Sequence, residues 1–170
     1  DVLQYPYFGR TIPSDAVTTK VLAKFIHSQD WINVGVLYAN EDFATGYALG
    51  FQVDARDEGL TVPVLAAYNM NDAATYSEAC RALRASGVNI IVAALWEQDL
   101  PGLAQACKTH GVWGAGSVWI NSELGTDGAT ILAGGAKLNQ TLETTAALLD
   151  GMFSYFSSPQ GTDGYARFQD

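Results

Sequence analysis

Basic residues are scarce in this chain of 170 residues: Lys and Arg total 9 against 18 Asp and Glu, giving a formal net charge of -9. The pI is near 4.4. That balance excludes nucleic-acid binding, because neutralising phosphates takes clustered bases and no basic stripe runs through the sequence. An anionic membrane surface is a poor partner for the same reason. Long apolar runs are missing too. The longest, Asn89 to Trp96, is far short of the roughly 20 residues a membrane span requires. Asp1 to Arg10 contain no basic start followed by an apolar stretch, so no leader is expected there. Cysteine and histidine number two each, and no cluster of them has metal-ligand spacing.

Enzyme signatures are equally absent. The chain has no G-x-x-x-x-G-K-[ST] phosphate cradle and no G-x-G-x-x-G after its first strand. Gly114, Gly116 and Ser117 lie close together, but their spacing is not that of a nucleophile elbow. His27 and His110 fall near the ends of helical segments, where a cationic side chain suits the helix dipole. Catalysis has no support in these residues, and no metal or cofactor is expected.

What the chain does have is core material and rhythm. Hydrophobic residues make up 48% and charged residues 16%, which excludes disorder and suits one compact domain. Short apolar runs recur at near-regular intervals: Asn33–Ala39, Val62–Tyr68, Val88–Leu95 and Ser117–Ile120. Strands buried on both faces read this way. Tyr7 to Ile12 is a further candidate that opens the series. Between the runs lie helical stripes. The first is Val17, Val21, Leu22, Phe25 and Ile26, with Ser14 or Asp15 placed to cap it. The second is Phe43, Tyr47, Phe51 and Ala55, ending near Gly59. Tyr76, Ala79, Cys80 and Leu83 stop at Gly87, and Leu100, Leu103, Ala104 and Cys107 stop at Gly111. Strands alternating with helices predict βαβ units, a parallel sheet and right-handed crossovers.

After Ile120 the rhythm changes. Ile131 to Leu138 reads as a final strand, Glu143 to Phe156 as a helix, and Ser157 to Asp170 as a loose tail. Cys80 and Cys107 fall on the apolar stripes of consecutive helices. They are either two small buried hydrophobes or a helix-to-helix disulfide, and spacing alone leaves both readings open. Asn139-Gln140-Thr141 is the one N-x-[ST] sequon and makes Asn139 a candidate glycosylation site.

Parallel α/β sheets bind ligands at the carboxyl ends of their strands. The segments there are Ser14-Asp15, Asn40-Glu41-Asp42-Phe43, Asn69-Met70-Asn71-Asp72, Trp96-Glu97-Gln98-Asp99 and Asn121-Ser122-Glu123. Carboxylates and aromatic rings line one edge, a chemistry suited to an ammonium group. Asp, Asn and Ser are also the preferred helix N-caps at such places, so each residue has a structural reading beside the functional one.

Tyr7-Phe8-Gly9-Arg10-Thr11-Ile12-Pro13-Ser14-Asp15, a helix, and then Val34-Gly35-Val36-Leu37-Tyr38 resemble the ligand-binding region of the type I periplasmic-binding-protein family. That family includes bacterial amino-acid-binding proteins and the Venus-flytrap ectodomains of class C G-protein-coupled receptors, and the opening stretch is closest to the GABA-B and metabotropic glutamate receptor form. Ala106-Cys107-Lys108 and Trp119-Ile120 keep the expected order, so the likeness runs from about Tyr5 to Leu138.

The resemblance implies a three-layer α/β lobe with a parallel sheet. Residues 1–138 would be the second lobe of a two-lobed domain, and 139–170 a return helix and C-terminal tail. The partners implied are the first lobe of the same protein, a small amino-acid-like ligand trapped between the lobes, and a receptor dimer. The location implied is extracellular, or periplasmic for a bacterial carrier. At the site, Asp15 and Glu123 would meet the ligand amine, and Phe43 stands where related receptors place a tyrosine over it. Trp96 and Glu97 occupy a loop that supplies further contacts. The cysteine pair looks like an intralobe disulfide of some receptors. The function implied is a non-catalytic sensor lobe that works by lobe closure. The alternatives are a structural or dimerising lobe without ligand, and a small α/β enzyme.

Overall fold

The computed structural model describes residues 15–122 and 128–154, with side chains from residue 17 onward. In chain order the elements are α1 (Asp15–Ser28), β1 (Asn33–Ala39), α2 (Asp42–Asp57), β2 (Thr61–Tyr68), α3 (Ala73–Ser86) and β3 (Ile90–Ala94). They continue with α4 (Leu100–Thr109), β4 (Val118–Asn121), α5 (Gly128–Lys137), α6 (Leu142–Leu149) and β5 (Phe153–Ser154). The strands form one sheet in the order β2-β1-β3-β4-β5, and every pairing is parallel.

That order follows from the apolar runs. Val34, Val36, Leu37 and Ala39 in β1 and Ile91 to Ala94 in β3 are fully buried, as strands covered on both faces must be. Right-handed crossovers then place the helices. From β1 the chain steps outward to β2, reverses, and crosses back over β1 to β3. The reversal moves the connecting helix to the opposite face. Hence α2, joined by α1, covers one face, while α3 and α4 cover the other with α5 and α6 packed on α4. The result is an α/β lobe of three layers. Gly35 is required at the centre: a Cβ there would meet Val88 Cγ2 at 2.7 Å and Leu83 Cδ2 at 2.9 Å.

Cys80 on α3 and Cys107 on α4 form a disulfide across these neighbouring helices, with Cα atoms 4.9 Å apart and both residues fully buried.

The structure corrects three expectations. Ile131 to Leu138 belongs to α5, apart from Leu138 just beyond it, and is not a strand. Its Gly134 and Gly135 let the helix lie against the Gln98 backbone and the Thr145 side chain, with no room for a Cβ at either position. A short apolar run fits helix and strand alike. The helix expected from Glu143 to Phe156 ends at Leu149, because Gly151 takes a positive φ of 85° and Phe153–Ser154 pair with β4. The stripe on α1 is only half buried: Leu22 and Ile26 are in the core, whereas Val17, Val21 and Phe25 are exposed. The candidate strand Tyr7 to Ile12 and the tail Ser157 to Asp170 lie outside the described residues. Among those described, no helix is long and apolar enough to cross a membrane.

Candidate ligand-binding edge

β1 and β3 are neighbours whose following helices leave to opposite faces of the sheet. A crevice opens beyond the carboxyl ends of such a pair, and open α/β sheets take their ligands there. The loop after β1 carries Asn40, Glu41 and Phe43, and the loop after β3 carries Trp96, Glu97 and Asp99. Three of the expected site residues, Phe43, Trp96 and Glu97, thus follow the carboxyl ends of the adjacent strands β1 and β3. Phe43 presents its ring to solvent from the first turn of α2 at 39% exposure, while Trp96 and Glu97 are half-buried. Asp15 opens α1, and its side chain is not among those described. Glu123 lies outside the described residues, next to Ser122 at the end of β4.

Two of the edge carboxylates serve the fold. Glu41 caps α2, accepting hydrogen bonds from Phe43 N at 2.9 Å and Ala44 N at 2.7 Å, and so fixes the turn that presents Phe43. Asp72 caps α3 by accepting from Ala74 N at 3.1 Å. Asn40 Nδ2 donates to Asn69 Oδ1 at 3.0 Å, tying the β1 and β2 loops together.

Asp99 stands in an edge segment, but its part in the site is one that sequence reasoning missed. It follows the β3 loop with Leu100-Pro101 after it, so its position reads as an ordinary N-cap. It occupies that position without making a side-chain cap hydrogen bond. Its carboxyl group is instead 2% exposed and accepts from Tyr76 Oη at 2.5 Å and from Asn71 N at 3.0 Å. Asn71 adopts a positive φ of 59°, so Asp99 holds a left-handed turn of the β2 loop and the first turns of α3 against the β3 loop. Tyr68, at the end of β2, accepts from Trp96 N at 3.3 Å and sets its ring edge-on to Tyr76, with centroids 5.4 Å apart. One network of Tyr68, Tyr76 and Asp99 therefore positions the loop that bears Trp96 and Glu97. The available signal was weak: two tyrosines on core stripes and an aspartate before a proline.

Burial dominates the electrostatics of that network. Desolvation pushes the Tyr68 hydroxyl well above the usual phenol range, and the hydrogen bond from Trp96 N offsets only part of this. Desolvation also raises Tyr76, and donation to Asp99 raises it further. Both phenols stay neutral at any physiological pH.

Other polar atoms remain available here. Trp96 Nε1, Asp99 Oδ2 and Ser122 Oγ are buried and carry no hydrogen bond among the described residues. Buried polar atoms are nearly always paired, so such atoms mark hydrogen-bonding capacity left over by the fold. The edge segments 40–43, 69–72, 96–99 and 121–122 contain no Lys, Arg or His. The edge therefore offers carboxylates, amides and rings to a cationic or neutral polar group. Among the described residues no group of three His, Cys, Asp or Glu side chains is placed to hold a metal ion.

Comparison with known proteins gives the same direction. Residues 1–166 match the family described as receptor family ligand binding region. The chain is also 27% identical, over 172 aligned residues, to metabotropic glutamate receptor-like protein E of Dictyostelium discoideum. That alignment covers 97% of this chain and 20% of the relative, so the chain spans about a fifth of the relative's length. The fold and the family match agree: this chain belongs to the receptor-family ligand-binding regions of the type I periplasmic-binding-protein kind.

Proposed function

We propose that the chain is the second lobe of a two-lobed receptor domain and binds a small zwitterion, an amino acid or a close relative, at the carboxyl edge of its sheet. The observation that carries this reading is the composition of that edge. It combines exposed Phe43, half-buried Trp96 and Glu97, and leftover buried hydrogen-bonding atoms, with no basic residue in its described segments. Glu123 and Asp15 would pair with the ammonium, Phe43 and Trp96 would pack over the ligand, and Glu97 would tune specificity. Ligand touching both lobes favours the closed arrangement by its differential affinity for it, which is how closure becomes a signal. A buried disulfide and an exposed sequon asparagine, Asn139, fit an extracellular setting, where thiols are oxidised.

A thermal-shift screen of the complete two-lobed protein against amino acids, simple amines and simple carboxylic acids tests this. A ligand at 100 times its dissociation constant stabilises by about 2.7 kcal/mol, so one amino-acid class should raise Tm by several degrees more than the amines and acids do. A panel without any shift would leave the reading of a structural, dimerising lobe in its place.

A further inference from the structure

The opposite, amino-terminal end of the sheet holds a second hollow. It has a volume of about 250 Å³ and lies between the loop before β4 and the turn before β5, lined by Trp113, Ser117, Trp119, Asp150 and Met152. A water molecule takes about 30 Å³, so there is room for a small organic group. The two indole rings lie with centroids 4.4 Å apart. Trp113 Nε1 donates to Leu148 O at 2.7 Å and Trp119 Nε1 to Val112 O at 2.9 Å. Both indole N–H groups are thereby used; Trp119 is buried and Trp113 half-buried, so the ring surface left to the hollow is chiefly that of Trp113. Ser117 Oγ is used as well, donating to Gly114 O.

Asp150 is the only charged residue in the lining. It is exposed and makes no ion pair among the described residues. It also stands at the C-cap of α6, whose last turn has no basic residue. A negative charge at the negative end of a helix is placed against the dipole. An anion unsupported by the fold, beside aromatic surface, is complementary to a cation with an apolar skin.

We propose that this hollow is a second binding site, separate from the carboxyl-edge crevice, for an alkylammonium or guanidinium group that is either free or carried on a peptide side chain. Trp113 provides the ring surface, with Trp119 packed against it at an interplanar angle of 43°, and Asp150 supplies the counter-charge.

The test follows the indole N–H resonances of the 15N-labelled chain during titration with choline, with its neutral isostere 3,3-dimethylbutanol, and with ethylguanidinium. The two cations should shift Trp113 and Trp119 saturably, and the alcohol should not. Asp150→Asn should weaken the cations about two- to five-fold, the range of a screened surface charge. Asp150→Lys should abolish the effect while the remaining spectrum stays in place. Comparing the amide-capped peptide Gly-Arg-Gly with choline then separates the sources: a tighter peptide assigns the group to a protein partner, and tighter choline to a free amine. Equal shifts with the neutral alcohol, or cation binding unchanged by Asp150→Asn, would overturn the proposal.

Discussion

Replacing both cysteines, Cys80→Ala with Cys107→Ala, removes a cross-link that closes a loop of 27 residues between α3 and α4. In the chain-entropy description, opening a loop of this length returns about 12 cal/mol/K to the unfolded chain, or about 3.5 kcal/mol at 25 °C. Both sulfurs are fully buried, so the lost packing adds to that figure, and alanine avoids the buried hydroxyl that serine would introduce. For a domain of this size the expected fall in Tm is about 7–14 °C. Urea unfolding of the oxidised chain and of the double variant, monitored by tryptophan fluorescence, measures the difference directly. Because the bond is buried, reductant should act on the native chain only through unfolding, so the rate of reduction should track the unfolding rate. A loss below about 1 kcal/mol would refute the entropic reasoning. So would reduction that proceeds at full speed under strongly native conditions.

Other outcomes follow from the network at the carboxyl edge and from the core. Tyr76→Phe takes one donor from the buried Asp99 carboxyl and should cost about 1–3 kcal/mol, measured by denaturant midpoint. Asp99→Ala removes the acceptor shared by Tyr76 Oη and Asn71 N and should cost about 1–3 kcal/mol, chiefly through the buried Tyr76 hydroxyl; a variant as stable as the parent would contradict the network. Tyr68 and Tyr76 are raised above the ordinary phenol value, so their contribution is fully present below pH about 10 and lost above it, as the unfolded phenols ionise first. Stability should then fall by up to about 1.4 kcal/mol per pH unit for each tyrosine, and Tyr76→Phe should remove one share of that slope. Gly35→Ala drives a methyl against Val88 and Leu83 and should cost about 1–3 kcal/mol, partly restored by Val88→Ala.

How far the sequence reached depended on the kind of signal. β1 was legible to its boundaries, since a run such as NVGVLYA has no other stable reading in an alternating chain. The parallel sheet and the placement of α2, α3 and α4 followed from the same rhythm. Beyond Ile120 the signal failed: ILAGGAKL is a short apolar run whose Gly-Gly pair argues locally against a helix, and what makes it a helix is close packing of Gly134 and Gly135 on distant segments, which no local pattern encodes. The exposure of Val21 and Phe25 was hidden similarly, because an apolar stripe reveals a face without revealing how much of it is covered. At the site, strand position gave the loop segments of the edge, and the resemblance singled out residues within them. The part played by Asp99 was not legible, because a buried acid that fastens two loops and a capping acid look alike until the hydrogen bonds are drawn. The indole pair at the other end joins residues from separate segments and left no local mark.

The central claim is that the amino-acid ligand sits on the carboxyl edge and not in the hollow at the amino-terminal end. Calorimetric titration of the complete two-lobed protein with the amino acid that stabilises it most, repeated on Trp96→Ala and on the amino-edge control Asp150→Asn, tests it most directly. The account predicts that Trp96→Ala weakens binding about ten-fold or more, as loss of a packed aromatic contact does, while Asp150→Asn leaves the affinity unchanged. Binding that survives Trp96→Ala intact and falls with Asp150→Asn would contradict it.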